Sequence, residues 1–180
     1  PNILPVRDLN WFGRLIREGG SSAEVDLMPK LLSKRVHNIA YGITESGTIE
    51  GKIRKQLTAY EALDFRISKL NLTKESYLED LENKHNALEI SDYVRENDQE
   101  ISKPVIESYN FKDNGDVEII NGKMYISPML YLVGRENPFK LEKREFPIDF
   151  SYPFQEKYLI NIDIPKGYAV ESLPKAVNMV

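Results

Sequence analysis

The residue types that carry most enzyme chemistry are few in this chain, and their spacing does not gather them. The 180 residues include two histidines and no cysteine. Without a thiol, the chain holds no cysteine nucleophile, no disulfide framework and no thiolate metal site. His37 lies two positions from Ile39 on a segment patterned as a strand, and His85 sits where a helix should end, a place that favours a cation. A metal centre needs three or four ligands, and no spacing joins these two. Both are read as structural or surface residues.

The acidic residues are numerous but equally scattered. Asp113-Asn114-Gly115-Asp116 has the flavour of a calcium loop, yet such loops draw ligands from about twelve residues closed by a glutamate. Glu118 is too near to close one, so the segment reads as a hairpin turn. Asp149 with Glu145, or Asp163 with Glu156, would suit glycoside hydrolysis if the carboxyls faced each other at a fixed separation. A chain with 28 acids yields such pairs everywhere. Alternation also places Asp163 outward between Ile162 and Ile164, where an isolated carboxylate prefers water.

That leaves the aromatic residues: ten Tyr, seven Phe and one Trp. Trp11-Phe12 and Tyr152-Pro153-Phe154 could form platforms that stack on sugar rings or meet a protein partner. Aromatics also fill the core and edges of sheet proteins by default. Trp11, Phe12, Tyr152 and Phe154 are therefore the candidate interaction surface, with no catalytic, cofactor-binding or metal residue assigned and no cofactor expected.

The elements that would position these residues are mostly strands. Val36–Thr58 patterns as a hairpin turning at Ser46-Gly47, with Ile39, Tyr41 and Ile43 alternating on one arm. On the other arm Ile49, Ile53 and Leu57 share a face with Gly51 and Lys55, and Glu50, Lys52, Arg54, Gln56 and Thr58 share the opposite one. The period then changes: Tyr60, Leu63, Ile67 and Leu70 recur at helical spacing up to Asn71, and Thr73 caps a second helix carrying Tyr77, Leu78 and Leu81. Strand patterning returns over 90–94, 105–111, 117–120 and 124–126, with Asn121-Gly122 as a tight hairpin turn. After a loop at Arg135–Phe139, further strands are expected through Phe146, Ile148 and Phe150, through Tyr158, Ile160, Ile162 and Ile164, and, past a Pro165-Lys166-Gly167 turn, over Tyr168–Leu173.

The implied fold is mainly β (α+β): an antiparallel β-sandwich, Greek-key or immunoglobulin-like, over residues 31–180, with an inserted helical hairpin at about 59–86. Residues 1–30, with a loop at Gly19-Gly20-Ser21-Ser22, read as a linker or the tail of a preceding domain. The first and last residues read as the interior of a longer protein. Net charge is −4, with basic and acidic residues interleaved, which argues against nucleic acid as a partner. No apolar run approaches the ~20 residues of a membrane span.

Three stretches resemble the C-terminal region of bacterial transglutaminase-like proteins, whose papain-like catalytic domain is flanked by β-sandwich domains of unknown function. They are Leu4-Pro-Val-Arg-Asp-Leu-Asn10, Tyr60-Glu-Ala-Leu-Asp-Phe-Arg66, and Asn137-Pro-Phe139 taken with Arg144-Glu-Phe-Pro-Ile-Asp-Phe150 and Ile164-Pro-Lys-Gly-Tyr168. The first is similar to the end of the catalytic domain or its linker, the second to the helix after the first long hairpin, the third to the closing strands. The resemblance implies that the family's Cys-His-Asp constellation lies upstream, so no catalytic residue is carried over. The expectation is a non-catalytic accessory or interaction domain whose first partner is the preceding catalytic domain of the parent chain. The alternative is a carbohydrate- or cell-wall-binding module with a protein or glycan ligand. A secreted, periplasmic or cell-envelope location fits the lack of thiols.

Overall fold

A computed structural model describes residues 3–69, 71–85, 87–134, 143, 145 and 147–178. In chain order the elements are β1 (Phe12–Ile16), β2 (Ser22–Asp26), β3 (Ser33–Ile43), β4 (Ile49–Leu57), α1 (Ala59–Lys69), α2 (Lys74–Asn83), β5 (Leu88–Glu96), β6 (Val105–Asp113), β7 (Val117–Ile120), β8 (Lys123–Ile126) and β9 (Phe154–Asp163). Five strands make the main sheet in the order β5-β6-β4-β3-β9, while β1–β2 and β7–β8 form separate two-stranded ribbons. The class is mainly β with an inserted helical hairpin, as the patterning implies. The main sheet is mixed instead of purely antiparallel, because β9 runs parallel to β3 from Ser33↔Phe154 to Gly42↔Asp163. Parallel strands cannot be joined by a tight turn, and β3 and β9 are separated in the chain by all the elements from β4 to β8.

The β3–β4 hairpin forms where expected. Gly47 adopts φ +86 in its turn, a conformation that glycine enters without strain, and Ile39, Tyr41, Ile49, Ile53 and Leu57 are buried on one face. Gly51 belongs to that face too, and a Cβ there would overlap the Tyr41 side chain and the Ala40 carbonyl. The opposite face of the sheet stays wet, with Glu50, Lys52 and Arg54 exposed.

Two structures cover the inner face. The helices lie over one end: α1 packs on β3 and α2 on β5, and Phe65 meets Tyr77 edge-on at 6.1 Å between them. The other end is closed by Val117 and Ile126 of the β7–β8 ribbon and by Leu130 and Tyr131. That ribbon turns at Asn121 and Gly122, with φ +50 and +78, the paired left-handed values of a tight hairpin. Thr73 caps α2 as expected, its hydroxyl accepting from the Ser76 amide at 3.2 Å.

Several expectations are corrected. The buried side of α1 is Tyr60, Glu61, Ala62, Phe65 and Arg66, whereas Ile67 is 67% exposed. Two polar residues share the buried side, so a stripe drawn through apolar positions alone is rotated away from it. The predicted stripe's last member, Leu70, lies outside the described residues. Asp113–Asp116 is a turn but not a hairpin. Asp113 is buried and its Oδ1 accepts from the Gly115 amide at 2.7 Å, and the chain then leaves the main sheet for the β7–β8 ribbon. Residues 147–150 form no strand; Asp149 Oδ1 instead accepts from the Ser151 amide at 2.7 Å. Pro165–Tyr168 does turn, with the Tyr168 amide donating to the Pro165 carbonyl at 3.2 Å. Residues 168–173 then run exposed without pairing as a strand, tethered by a 2.7 Å Lys123–Glu171 ion pair. The Arg135–Phe139 loop, Arg144 and Phe146 lie outside the described residues. Within the expected linker, the soft Gly19-Gly20 segment is the turn of the β1–β2 ribbon.

Candidate functional site

The structure separates the four aromatic candidates into two kinds. Trp11 is 75% exposed, Phe12 63% and Phe154 50%. Tyr152 instead turns inward: its ring stacks on Tyr60 at 4.9 Å and its hydroxyl donates to Glu61 Oε1 at 3.4 Å. Glu61 is itself held by the Arg35 guanidinium, 2.9 Å from Nε and 2.5 Å from Nη2. Burial and the Glu61 carboxylate push the Tyr152 phenol up to about 12. Tyr152 therefore fastens the segment before β9 onto α1 and is not part of an open platform.

One side chain ties the exposed aromatics into a single neighbourhood. Asn10 Nδ2 donates to the Ser151 carbonyl at 2.9 Å and to Asp149 Oδ1 at 3.2 Å. This brings the start of the β1–β2 ribbon, with Trp11 and Phe12, beside the bend that carries Phe150. Phe150 is 60% exposed and meets Phe154 edge-on at 5.9 Å. Phe150 was not singled out as a surface residue, because its alternation with Phe146 and Ile148 suggested a core strand.

Beneath the helices lies a second arrangement that sequence spacing did not reveal. Strand register lines up Tyr158, His37, Lys55, Glu107 and Arg95 in one row across all five strands. Glu107 is 1% exposed. Its Oε2 accepts from Lys55 Nζ at 2.8 Å, and its Oε1 accepts from the Tyr93 hydroxyl at 2.5 Å. Arg95 Nε donates to the same hydroxyl at 2.9 Å, and its guanidinium lies 5.0 Å from the rings of Phe65 and Tyr77. Burial alone would raise the Glu107 carboxyl, but Lys55, Tyr93 and Tyr77 together hold it below its ordinary value. Burial and the neighbouring carboxylate push the Tyr93 phenol up. Lys55 and Glu107 thus neutralise each other, as a buried ion pair requires, whereas Arg95 rests on the Tyr93 hydroxyl and the rings of Phe65 and Tyr77, with its Nη2 buried and without a hydrogen bond within the described chain. The signal was present in the pattern: Lys55 and Glu107 occupy inward positions between Ile53 and Leu57 and between Val105 and Tyr109.

His37 sits in this row, 4% exposed, its ring stacked on Tyr158 at 4.5 Å. Its Nε2 lies 3.5 Å from Glu156 Oε1, yet neither ring nitrogen makes a hydrogen bond within the described chain. Burial, and then the nearby Lys55 charge, lower its pKa to about 4, so the ring is neutral at neutral pH. His85 lies far along the chain against Tyr131, with ring centroids 5.3 Å apart.

The proposed acid pairs do not converge. Glu156 points to the inner side of β9 and Asp163 to the outer, and Asp149 is engaged by Ser151 and Asn10. No group of three or more His, Asp or Glu side chains is arranged to hold a metal ion among the described residues. On the wet face, the sheet forms an open depression edged by Asn38, Lys52, Arg54, Asp92, Asn110 and Asn161. Lys55 and Glu107 are engaged with each other, whereas Trp11, Phe12, Phe150 and Phe154 are exposed.

Residues 122–180 match the model of a family described as a domain of unknown function with a solved structure (DUF3858). The match covers the C-terminal third of the chain, from the β7–β8 turn through β9 and the tail. No curated protein and no solved structure matches the chain. No described helix is long and apolar enough to cross a membrane.

Proposed function

We propose that this chain is a non-catalytic accessory domain that presents an aromatic surface to a protein partner, in a parent of the transglutaminase-like kind. The observation that carries the reading is the cluster of Trp11, Phe12, Phe150 and Phe154, exposed yet anchored through Asn10 to the 149–151 bend. Exposed apolar groups held on a structured scaffold mark interaction surfaces more often than catalytic ones. The reactive groups elsewhere support it: Lys55 and Glu107 are spent on each other beneath the helices, and Arg95 donates to the Tyr93 hydroxyl. The partner is the preceding catalytic domain, which such a domain would brace, in a secreted or envelope-associated bacterial protein.

The direct test is binding of the purified chain to that catalytic domain supplied in trans. Trp11→Ala with Phe12→Ala should weaken the complex at least tenfold while leaving the circular dichroism of the chain unchanged. Hydrolysis or amide transfer by the chain alone, abolished by one substitution within it, would end the reading.

A second reading is favoured by one observation, the side-by-side exposure of Trp11 and Phe12. Rings open to solvent on a sheet domain also stack on sugars. A glycan array on which the chain binds one polysaccharide class, with binding lost in Trp11→Ala, would move the assignment to a carbohydrate-binding module.

A further inference from the structure

The two edges of the main sheet are built differently. At the β5 edge, register shifts between Ser91 and Val94, Asp92 adopts φ +52, and the strand carries Glu89, Asp92, Arg95 and Glu96. A bulge and charges are standard protection against pairing with another strand. The β9 edge also carries charges, Glu156, Lys157 and Asp163, but no bulge. Its ten residues are regular, contain neither proline nor glycine, and pair in unbroken register with β3 alone among the described residues. Its inward side chains Tyr158, Ile160 and Ile162 are only half-buried, although they lie in the same rows as fully buried His37, Ile39 and Tyr41. The inner layer therefore stops short of the edge.

The sequence of β9 is self-complementary about Ile160. If two copies pair antiparallel with Ile160 opposite Ile160, same-face residues meet throughout. Tyr158 then faces Ile162 on the inner side and Leu159 faces Asn161 on the outer side. Lys157 faces Asp163, and the two-fold axis makes this pair twice. Lys157 and Asp163 are both exposed and neither has an ion-pair partner within the described chain. Opposite charges directly across a strand pair are favourable, like charges unfavourable, and isologous two-fold contacts are the commonest way chains self-associate.

We propose that β9 is a homodimerisation edge, joining two copies into one continuous ten-stranded sheet centred on Ile160. It is independent of the accessory-domain reading, since the aromatic cluster is not needed for it.

Sedimentation equilibrium of the whole chain tests it. The expected result is a concentration-dependent dimer. Lys157→Glu and Asp163→Lys should each weaken self-association more than about tenfold, because each places like charges opposite one another twice. Mixing those two variants in equal amounts should restore the dimer as a heterodimer, since both contacts then join opposite charges. Both positions are exposed, so circular dichroism should report unchanged folding. Ile160→Pro, which removes an edge amide and strains the strand, should abolish dimerisation. A chain that stays monomeric up to about millimolar concentration, or a dimer indifferent to both single reversals, would overturn the proposal.

Discussion

The inner face under α1 and α2 and the perimeter around Asn10, β9 and the tail are equally rich in aromatic and aliphatic residues, yet they use them in opposite ways. Beneath the helices, Phe65, Tyr77, Tyr93 and Tyr109 are buried and Lys55 is paired with the buried Glu107. Around the perimeter, Trp11, Phe12, Phe150, Phe154 and Leu173 face solvent, held in place by a few polar contacts from Asn10, Asp149 and Lys123. Hydrophobic content does not distinguish the regions; coverage by a second layer does. The covered region is where stability resides, and the uncovered one is where partners can bind.

The sharpest way to break that contrast is to remove one member of the buried row. Glu107→Gln leaves Lys55 with its charge partly buried and without its carboxylate, and should destabilise the chain by roughly 3–5 kcal/mol in urea unfolding. The double change Lys55→Met with Glu107→Leu should cost much less, because removing both partners leaves no uncompensated charge. A Glu107→Gln loss below about 1 kcal/mol would mean that the row is solvated and does not belong to the covered region.

Next comes the phase of α1. Phe65→Ala should cost roughly 3–5 kcal/mol, the usual loss for a buried aromatic. Ile67→Ala, two residues on, should stay within about 0.5 kcal/mol, as exposed substitutions do. Leu63 and Leu81 are half-buried, so truncating either falls between the two. Equal losses at Phe65 and Ile67 would place the helix the other way round.

These positions also show what the residues alone disclosed. Strand alternation located β3, β4, β5, β6, β7 and β8 to within about three residues, because one wet face and one dry face write a period of two directly into the chain. The Asn121-Gly122 and Ser46-Gly47 turns followed from the backbone angles their residues tolerate. Alternation failed at 147–150 and at 168–173, where apolar residues alternate but no neighbouring strand pairs with them. The face of α1 failed for another reason. Arg66 is buried because its guanidinium reaches the carbonyls of Asn97, Asp98, Glu100 and Lys103, at 2.7–2.9 Å. A contact with a turn some thirty residues away leaves no local period. The cross-sheet row was half legible, since Lys55 was placed on the inward face, but its partner could be named only once register was known. The exposed state of Trp11 and Phe12 depends on what lies above them, which no pattern within their own segment records.

A smaller effect separates the regions by pH. His37 titrates near 6.5 when unfolded and at about 4 in the folded chain, since burial and Lys55 oppose its charge. Between those values the unfolded chain binds more protons, so stability falls as pH drops through this window and is complete above it. Replacing the ring with a non-titrating one, His37→Phe, should flatten the stability profile between about pH 6.5 and 4. Glu107, held below its ordinary value by Lys55 and Tyr93, adds to the fall in the same direction once pH drops below the usual carboxylate range. An unchanged slope in His37→Phe would show that water reaches the ring.

The smallest expected change is the most informative about function. Trp11→Ala removes the largest side chain in the sequence, and in a covered position that would cost several kcal/mol. At 75% exposure it touches little of its own chain, and the ribbon keeps the contact that positions it, because the Leu27 amide donates to the Trp11 carbonyl at 3.0 Å through backbone atoms alone. The melting temperature should therefore move by no more than the equivalent of about 0.5 kcal/mol. Asn10→Gly, which keeps the left-handed backbone at φ +60 open, should be comparably mild for stability but should release the ribbon from the 149–151 bend, separating Trp11 and Phe12 from Phe150. If binding to a partner falls in both variants while unfolding is unchanged, the aromatics act as one surface. A large drop in melting temperature for Trp11→Ala would instead return the ribbon to the core and erase the difference between the two regions.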